Sequence, residues 1–444
     1  VIVNRQPLAD ELPYEFLEPR ITPFWQWVGR MYARHQLLRK EQRVTDIEAT
    51  GLDIIAPLIA RGDGVMIAPN HPDHADCGVL LELSGRVRTP FTYMAAYQIF
   101  RGYRGFARFL LPRVGAFPVD REGADLKAFR TAVEILAKGS YPLVLFPEGE
   151  IYHVCDRLTT LREGAAVVAT SAAKRAADRG KTVWIVPMAL KYRFLDGQDP
   201  LPAIRTTMDG LEARFTWWPR RDRSIIARIY AYAEGMLGLK EIEYFGETRP
   251  GSIKSRIVGL REAILGHLED RHFPRRRDDV APIRVKELRR SCLERLADPK
   301  TTPEESACLR RDLHDAFVAV QLFSYPGDYL HDRPTVERIA ETVMKFQQDV
   351  TGIEAPPFAT RKAIAKFGTP IDVRERLVAH AKPRLAAGAI TIELEAAIQS
   401  LLDAIGPGRS YLDADDSVGG PIGPRIVDPL PNPTETERAV ATPQ

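Results

Sequence analysis

The stretch VMIAPNHPDHADCGVLLEL, residues 65–83, sets two imidazoles and two carboxylates side by side at the end of an apolar run. His71 and Asp76 stand five residues apart, which on a regular helix turns them about 140° away from one another. They meet only if His71 precedes a helix and Asp76 lies in its first turns. Pro72 is predicted at the first helical position, where proline is favoured. An aspartate on one imidazole nitrogen fixes the tautomer and frees the other nitrogen as a general base. A histidine so poised takes a proton from a hydroxyl that attacks a carbonyl. Two blander or rival uses exist for the same residues. Asp73 or Asp76 alone can cap the helix. With His74, HPDHAD also offers two histidines and two carboxylates to a metal ion. Binuclear zinc hydrolases space their histidines by two and need more of them downstream, whereas here the spacing is three and the next are His153 and His267.

Three further islands follow in order. LPRVGAFPVDREG contains Gly115 and Arg121, YPLVLFPEGEIY contains Phe146, Pro147, Glu148 and Gly149, and TVWIVPMALKY contains Pro187. Each puts a special residue at or near a strand end, where ligands bind in open α/β sheets. Read singly, Arg121 is equally a surface ion pair with Asp120 or Glu122, and Glu148-Gly149 a plain turn.

The elements that must hold these residues are legible as a strand–helix alternation over 51–235. Strands are predicted at 64–69, 91–95, 115–119, 142–147 and 183–189, and helices at 77–84, 97–110, 125–138 and 161–178. Short apolar strands alternating with amphipathic helices imply a layered α/β domain. Residues 1–50 form an amphipathic, helix-forming segment rich in aromatic and basic residues. A helical insertion is expected over 236–362, a returning strand and helices over 363–405, and a disordered Pro, Gly and Asp-rich tail over 406–444.

The chain has 444 residues, 45% hydrophobic and 27% charged, with a net charge of +3. That composition is ordinary for a globular protein, and the small charge gives no global attraction to nucleic acid. The four cysteines form no C-x-x-C pair, which implies reduced thiols. No transmembrane helix and no signal peptide are expected. Three segments mix aromatic and basic residues, at 24–32, 97–113 and 214–223. Such mixtures suit a lipid headgroup layer, so the expected location is cytoplasmic and peripheral on the inner face of a membrane.

Together the four islands resemble the ordered motifs of the glycerolipid acyltransferase family, which includes the 1-acyl-glycerol-3-phosphate acyltransferases. Asn70, His71 and Asp76 match its N-H-x4-D motif. Gly115 and Arg121 match G-x-x-F-x-x-R, Phe146 to Gly149 match F-P-E-G, and Val186-Pro187 match V-P-[ILV]. LREGAAVVA, at 161–169, is similar to a segment the family carries after F-P-E-G. The resemblance covers about residues 40–195. It implies that His71 is the general base and Asp76 orients it. Arg121, Glu148 and Gly149 would bind the head group, with Gly115, Phe146 and Pro147 completing the substrate site and Pro187 shaping the sheet beneath.

The implied reaction moves a fatty acyl group from acyl-CoA or acyl-ACP to a lysophospholipid hydroxyl, with 1-acyl-glycerol-3-phosphate as acceptor, in phospholipid synthesis or remodelling. No cofactor is expected beyond that co-substrate. The expected partners are the lysolipid, the thioester donor, acyl carrier protein and a membrane surface, with no nucleic acid. The rivals are a non-phosphate acceptor on the same fold and a metal-dependent hydrolase. Two departures bear on the acceptor. Pro118 stands where the family has Phe, with Phe117 one place earlier. Glu150-Ile151-Tyr152 follows F-P-E-G where the family often has Thr-Arg-Ser, so one phosphate-binding arginine is missing, and Arg157 or Arg162 is the substitute. On this reading His71→Ala abolishes acyl transfer, by at least the 10²–10⁴-fold typical of a lost general base, while the fold, read by circular dichroism, stays that of the parent. Near-normal turnover by that variant would refute the mechanism.

Overall fold

Residues 64–69 are all buried. Met66 and Ala68 join the core on one side of the sheet, while Val65 and Ile67 join the core on the other. A strand apolar on both faces belongs in the middle of a layered sheet. The computed structural model describes residues 14–101, 106–121, 125–331, 334–380 and 382–411. Its strands are β1 (Val44–Thr50), β2 (Gly64–Pro69), β3 (Thr92–Ala96), β4 (Ala116–Val119), β5 (Leu143–Val144), β6 (Val183–Phe194), β7 (Arg361–Phe367) and β8 (Ile371–Asp372). They form one eight-stranded sheet in the order β1-β7-β6-β2-β5-β3-β4, with β8 also on β6. Pairing is parallel except where β7 and β8 run against β6.

Helices Leu126–Lys138, Gly164–Ala177 and Pro383–Ile405 cover one face of this sheet. The segment around Leu38 and helices Ile55–Ala60 and Asp76–Val87 cover the other. The α/β expectation therefore holds, and so does the returning strand. β7 inserts between β1 and β6, pairing Ala363 with both Ile47 and Tyr192. Pro187 is tolerated inside β6 because the chain turns away between β7 and β8 there, and the Pro187 carbonyl accepts from Gly368 N–H at 2.8 Å.

Several boundaries move. The expected strand 142–147 pairs only at Leu143–Val144 before the chain turns at Pro147. β6 runs on to Phe194, five residues past its expected end. A boundary at 235 falls inside helix Ile225–Phe245, since helical structure resumes at Leu201, as soon as β6 leaves the sheet. Between β6 and β7 lie the helices Leu201–Arg214, Ile225–Phe245, Ile253–His272, Ala281–Leu296, Pro303–Phe323 and Val336–Thr351. At the start of the expected tail, Ser410 bridges to Thr335 and Tyr411 is buried; residues 412–444 lie outside those described.

The N-terminal segment becomes helical at Pro23 and continues through Tyr32 into a wider helical turn over Ala33–Glu41. Among the described residues one helix, Pro383–Ile405, has the length and apolarity to cross a membrane. Its Ala387, Ile390, Leu394, Ile398 and Leu402 pack into the sheet core, which is the role of a core helix.

Candidate active site

The geometry starts at the carboxyl end of β2. Pro69 pairs with Met188 of β6. Asn70 then extends the pairing with its side chain, donating to the Leu190 carbonyl at 2.9 Å and accepting the Leu190 N–H at 2.6 Å. An amide that copies a backbone ladder fixes the chain where His71 leaves the sheet. Helix Asp76–Val87 begins four residues after Pro72, not at it. The loop is instead closed by side chains: Asp73 Oδ1 accepts Ala75 N–H at 2.9 Å, and Asp76 Oδ2 accepts Asp73 N–H at 3.1 Å. Short acidic side chains compete in this way with a helical turn.

His71 Nδ1 lies 2.8 Å from Asp76 Oδ2. The other oxygen, Oδ1, accepts the Tyr192 hydroxyl at 2.5 Å. Asp76 is fully buried. Burial raises its carboxyl above the usual range, while the hydrogen bonds from His71 and Tyr192 oppose that rise. Burial and the neighbouring Asp76 push the Tyr192 phenol well above its ordinary value, so it remains a donor. The His71 ring stacks on Phe146 at 3.8 Å between centroids. With Nδ1 committed to Asp76, Nε2 is the nitrogen left for proton transfer.

Glu148 does not reach out as a head-group ligand. It is buried, its Oε1 accepts His71 N–H at 2.7 Å and its Oε2 accepts Thr159 N–H at 3.1 Å. It therefore braces the His71 loop against residues 158–160, and burial raises its carboxyl. Gly115 is likewise accounted for by the backbone. It adopts φ +97°, and a Cβ there would lie 2.5 Å from the Phe91 carbonyl oxygen. It precedes β4 while Arg121 follows that strand.

Arg121 sits on the F-P-E-G turn. Its Nη1 donates to the Gly149 carbonyl at 2.7 Å and lies 2.9 Å from Glu150 Oε2. The acid that follows F-P-E-G here is thus an ion-pair partner of Arg121, while Glu122 lies outside the described residues. Gly149 has φ +78°, and a Cβ there would come within 2.8 Å of the Arg162 guanidinium. Pro147 is buried and its carbonyl accepts Arg162 N–H at 2.9 Å. Arg162 Nε is buried with no hydrogen-bond partner. Arg157 is tied to Asp328 at 2.6 Å. Of the two arginines offered as substitutes, Arg162 is the one at the turn.

A second buried pair stands behind the dyad. Arg361, the first residue of β7, donates to Asp73 through Nη1 at 2.7 Å and Nη2 at 2.9 Å. It also donates to the Gln42 carbonyl at 2.9 Å and to Gln42 Oε1 at 3.0 Å, and its guanidinium lies 4.5 Å from the Tyr192 ring centroid. Burial by itself would raise the Asp73 carboxyl, but Arg361 outweighs it and brings it down to about 2. Sequence reasoning missed Tyr192, Arg361 and Glu150's pairing. Only the lone arginine opening the apolar strand RKAIAKF hinted at any of them.

The metal reading of HPDHAD finds its ligands dispersed. Asp73 is clamped by Arg361, Asp76 serves His71, and the His74 ring lies 5.5 Å from that of His153. Among the described residues, the cluster with metal-ligand types in reach is elsewhere, at His272, Cys292 and Asp312, where Arg271 already bonds Asp312.

A hydrogen-bonded His–Asp pair at a sheet edge, facing an F-P-E-G turn, defines a transferase-like site, and comparison identifies the class. Residues 46–191 match the family model described as Acyltransferase. The match covers about a third of the chain, and it supports acyl transfer as the general activity of that segment. The match ends one residue before Tyr192, and Arg361 lies well beyond it. No curated protein matches the chain significantly.

Two outcomes follow from the site. Tyr192→Phe removes one charged hydrogen bond, so kcat falls by about tenfold or more with KM for the thioester little changed. The acid limb of kcat/KM moves to higher pH, because Asp76 loses a donor that favours its ionised form. Arg361→Gln strands Asp73 and costs about 3–5 kcal/mol in denaturant unfolding. In the parent, Asp73's folded value of about 2 lies below the unfolded 3.8. Its linked stability, about 2 kcal/mol, is complete above pH 4 and fades as pH falls through about 2; an Arg361→Gln unfolding series loses that slope.

Proposed function

We propose that this chain transfers a fatty acyl group from a thioester on coenzyme A or acyl carrier protein to the hydroxyl of a lysophospholipid, with 1-acyl-glycerol-3-phosphate as the reference acceptor. The observation that carries the reading is the His71–Asp76 pair standing at the sheet's edge with Phe146 of the F-P-E-G turn stacked on its ring, and Arg121 and Arg162 on the same turn. His71 Nε2 takes the hydroxyl proton as the oxygen attacks the thioester carbonyl. The C–O bond forms and charge gathers on the carbonyl oxygen. On collapse the C–S bond breaks, and the thiolate recovers the proton from His71. Asp76 and Tyr192 hold the imidazolium formed between these steps. The scheme uses no acyl-enzyme and calls on no cofactor.

A peripheral membrane position is part of the proposal. Phe24, Trp27, Met31, Phe106 and Phe109 are exposed. Trp25 packs edge-on against Phe109 at 5.0 Å, joining helices Pro23–Tyr32 and Phe106–Arg113 in one aromatic face, and Arg113 lies 3.7 Å from the Phe109 ring centroid. Aromatic rings beside guanidinium groups suit the headgroup layer.

The Arg121–Glu150 ion pair favours a second reading, in which the acceptor carries no phosphate. Kinetics separate the two. For a phosphate monoester acceptor, Arg121→Ala raises KM about 10- to 100-fold, the worth of a charged hydrogen bond. Arg121→Lys restores only part, because the fork is lost, and Glu150→Gln lowers KM by freeing Arg121. Unchanged lysophosphatidic acid kinetics in Arg121→Ala, with turnover of a neutral acceptor, would establish the second reading.

A further inference from the structure

The helical insertion encloses a cavity of about 130 Å³, whose walls are nearly all carbon. Ile229, Ala233 and Met236 come from helix Ile225–Phe245, Ile257 from helix Ile253–His272, and Phe346 and Val350 from helix Val336–Thr351. At about 30 Å³ each that is room for about four waters, yet the walls give water few partners. The carboxylate and the two ammonium groups on it are already engaged: Lys240 lies 2.7 Å from Glu243, and Lys345 3.4 Å from Asp349, which also accepts the Tyr325 hydroxyl at 2.5 Å.

The wall nearest the dyad is made by the chain leaving the F-P-E-G turn. Phe146 touches His71, Glu148 bonds the His71 N–H, Tyr152 packs on Phe323 of the insertion, and His153 and Val154 line the cavity. The His153 ring in turn faces His74, three residues past His71. His153 is held at φ +55°. Burial, the largest influence, lowers it to about 3, so this wall is uncharged at neutral pH.

We propose that this cavity receives the alkyl chain of a substrate, so that the insertion, and not the acyltransferase domain alone, sets chain-length selectivity. The inference rests on the acyl-transfer reading of the neighbouring dyad. Filling the cavity should shorten the chain accepted, and each methylene denied burial should weaken binding about fourfold.

The test has two parts. The first is direct binding of a fluorescently labelled twelve-carbon fatty acid to the full chain, which needs no turnover. Binding is retained in His71→Ala, weakens at least tenfold in Ala233→Trp, and weakens less in the milder Ala233→Leu. The second is mass spectrometry of products from a donor series of eight to eighteen carbons on one acceptor, and from an acceptor series on one donor. Ala233→Trp moves the preferred length down and Met236→Ala moves it up. A shift in the donor series alone assigns the cavity to the thioester chain, and one in the acceptor series alone assigns it to the lysolipid. If folded Ala233→Leu and Ala233→Trp bind the probe as the parent does and neither series shifts, the cavity proposal is overturned. A parent that binds the probe but turns over no thioester would instead defeat the acyl-transfer reading and leave alkyl binding standing.

Discussion

A single buried carboxylate, Asp76, is the constraint on which the site depends. Taking an ion of that size out of water costs several kcal/mol even after relaxation. Asp76 meets that cost with donors: His71 on one oxygen with the Asp73 N–H, and Tyr192 on the other. The arrangement forces where three segments lie. The loop after β2 must fold back over its own helix start, β6 must run long enough to bring Tyr192 alongside, and the sheet register must match the two. That register continues through Asn70, whose amide pairs with Leu190. A slip of one residue would turn Tyr192 to the opposite face.

The clamp behind the dyad ties β7, far along the chain, to the loop that carries His71. Arg361 is bidentate on Asp73, whose loop also supplies Asp76's third donor. Buried pairs are poor sources of net stability but costly to break. Their effect here is positional: the loop carrying His71 cannot shift without uncovering a charge. A second buried link joins the insertion to the sheet. Asp156 lies 2.5 Å from Lys191 of β6 and 2.7 Å from Arg338 of helix Val336–Thr351. The six helices between β6 and β7 are thus tied to the sheet by both ends and by this anchor on the last of them.

The F-P-E-G turn is built differently. Arg121 and Arg162 gather at Gly149, a left-handed turn with room only for hydrogen where Arg162 crosses it. Glu150 offsets one of those charges. The turn therefore presents less positive charge than two arginines suggest.

By itself the sequence determined the layered α/β class, the position of β2 and of β7, and the His71–Asp76 pair. These rest on local information: apolar runs, turn residues, and a five-residue spacing that only a loop-to-helix junction can close. The family's motifs carried Arg121 and the F-P-E-G turn to the same site. Tertiary structure alone decided the rest. Tyr192 and Arg361 reach Asp76 and Asp73 from residues 116 and 288 positions away, and nothing local marks an ordinary tyrosine or a strand-opening arginine as their partner. Glu148 kept its place in the motif, but only the tertiary structure shows its buried carboxylate turned onto two backbone N–H groups. The cavity in the insertion was equally invisible, since apolar helical spacing fixes which face of a helix is inward but not how completely the facing helices fill the space between them.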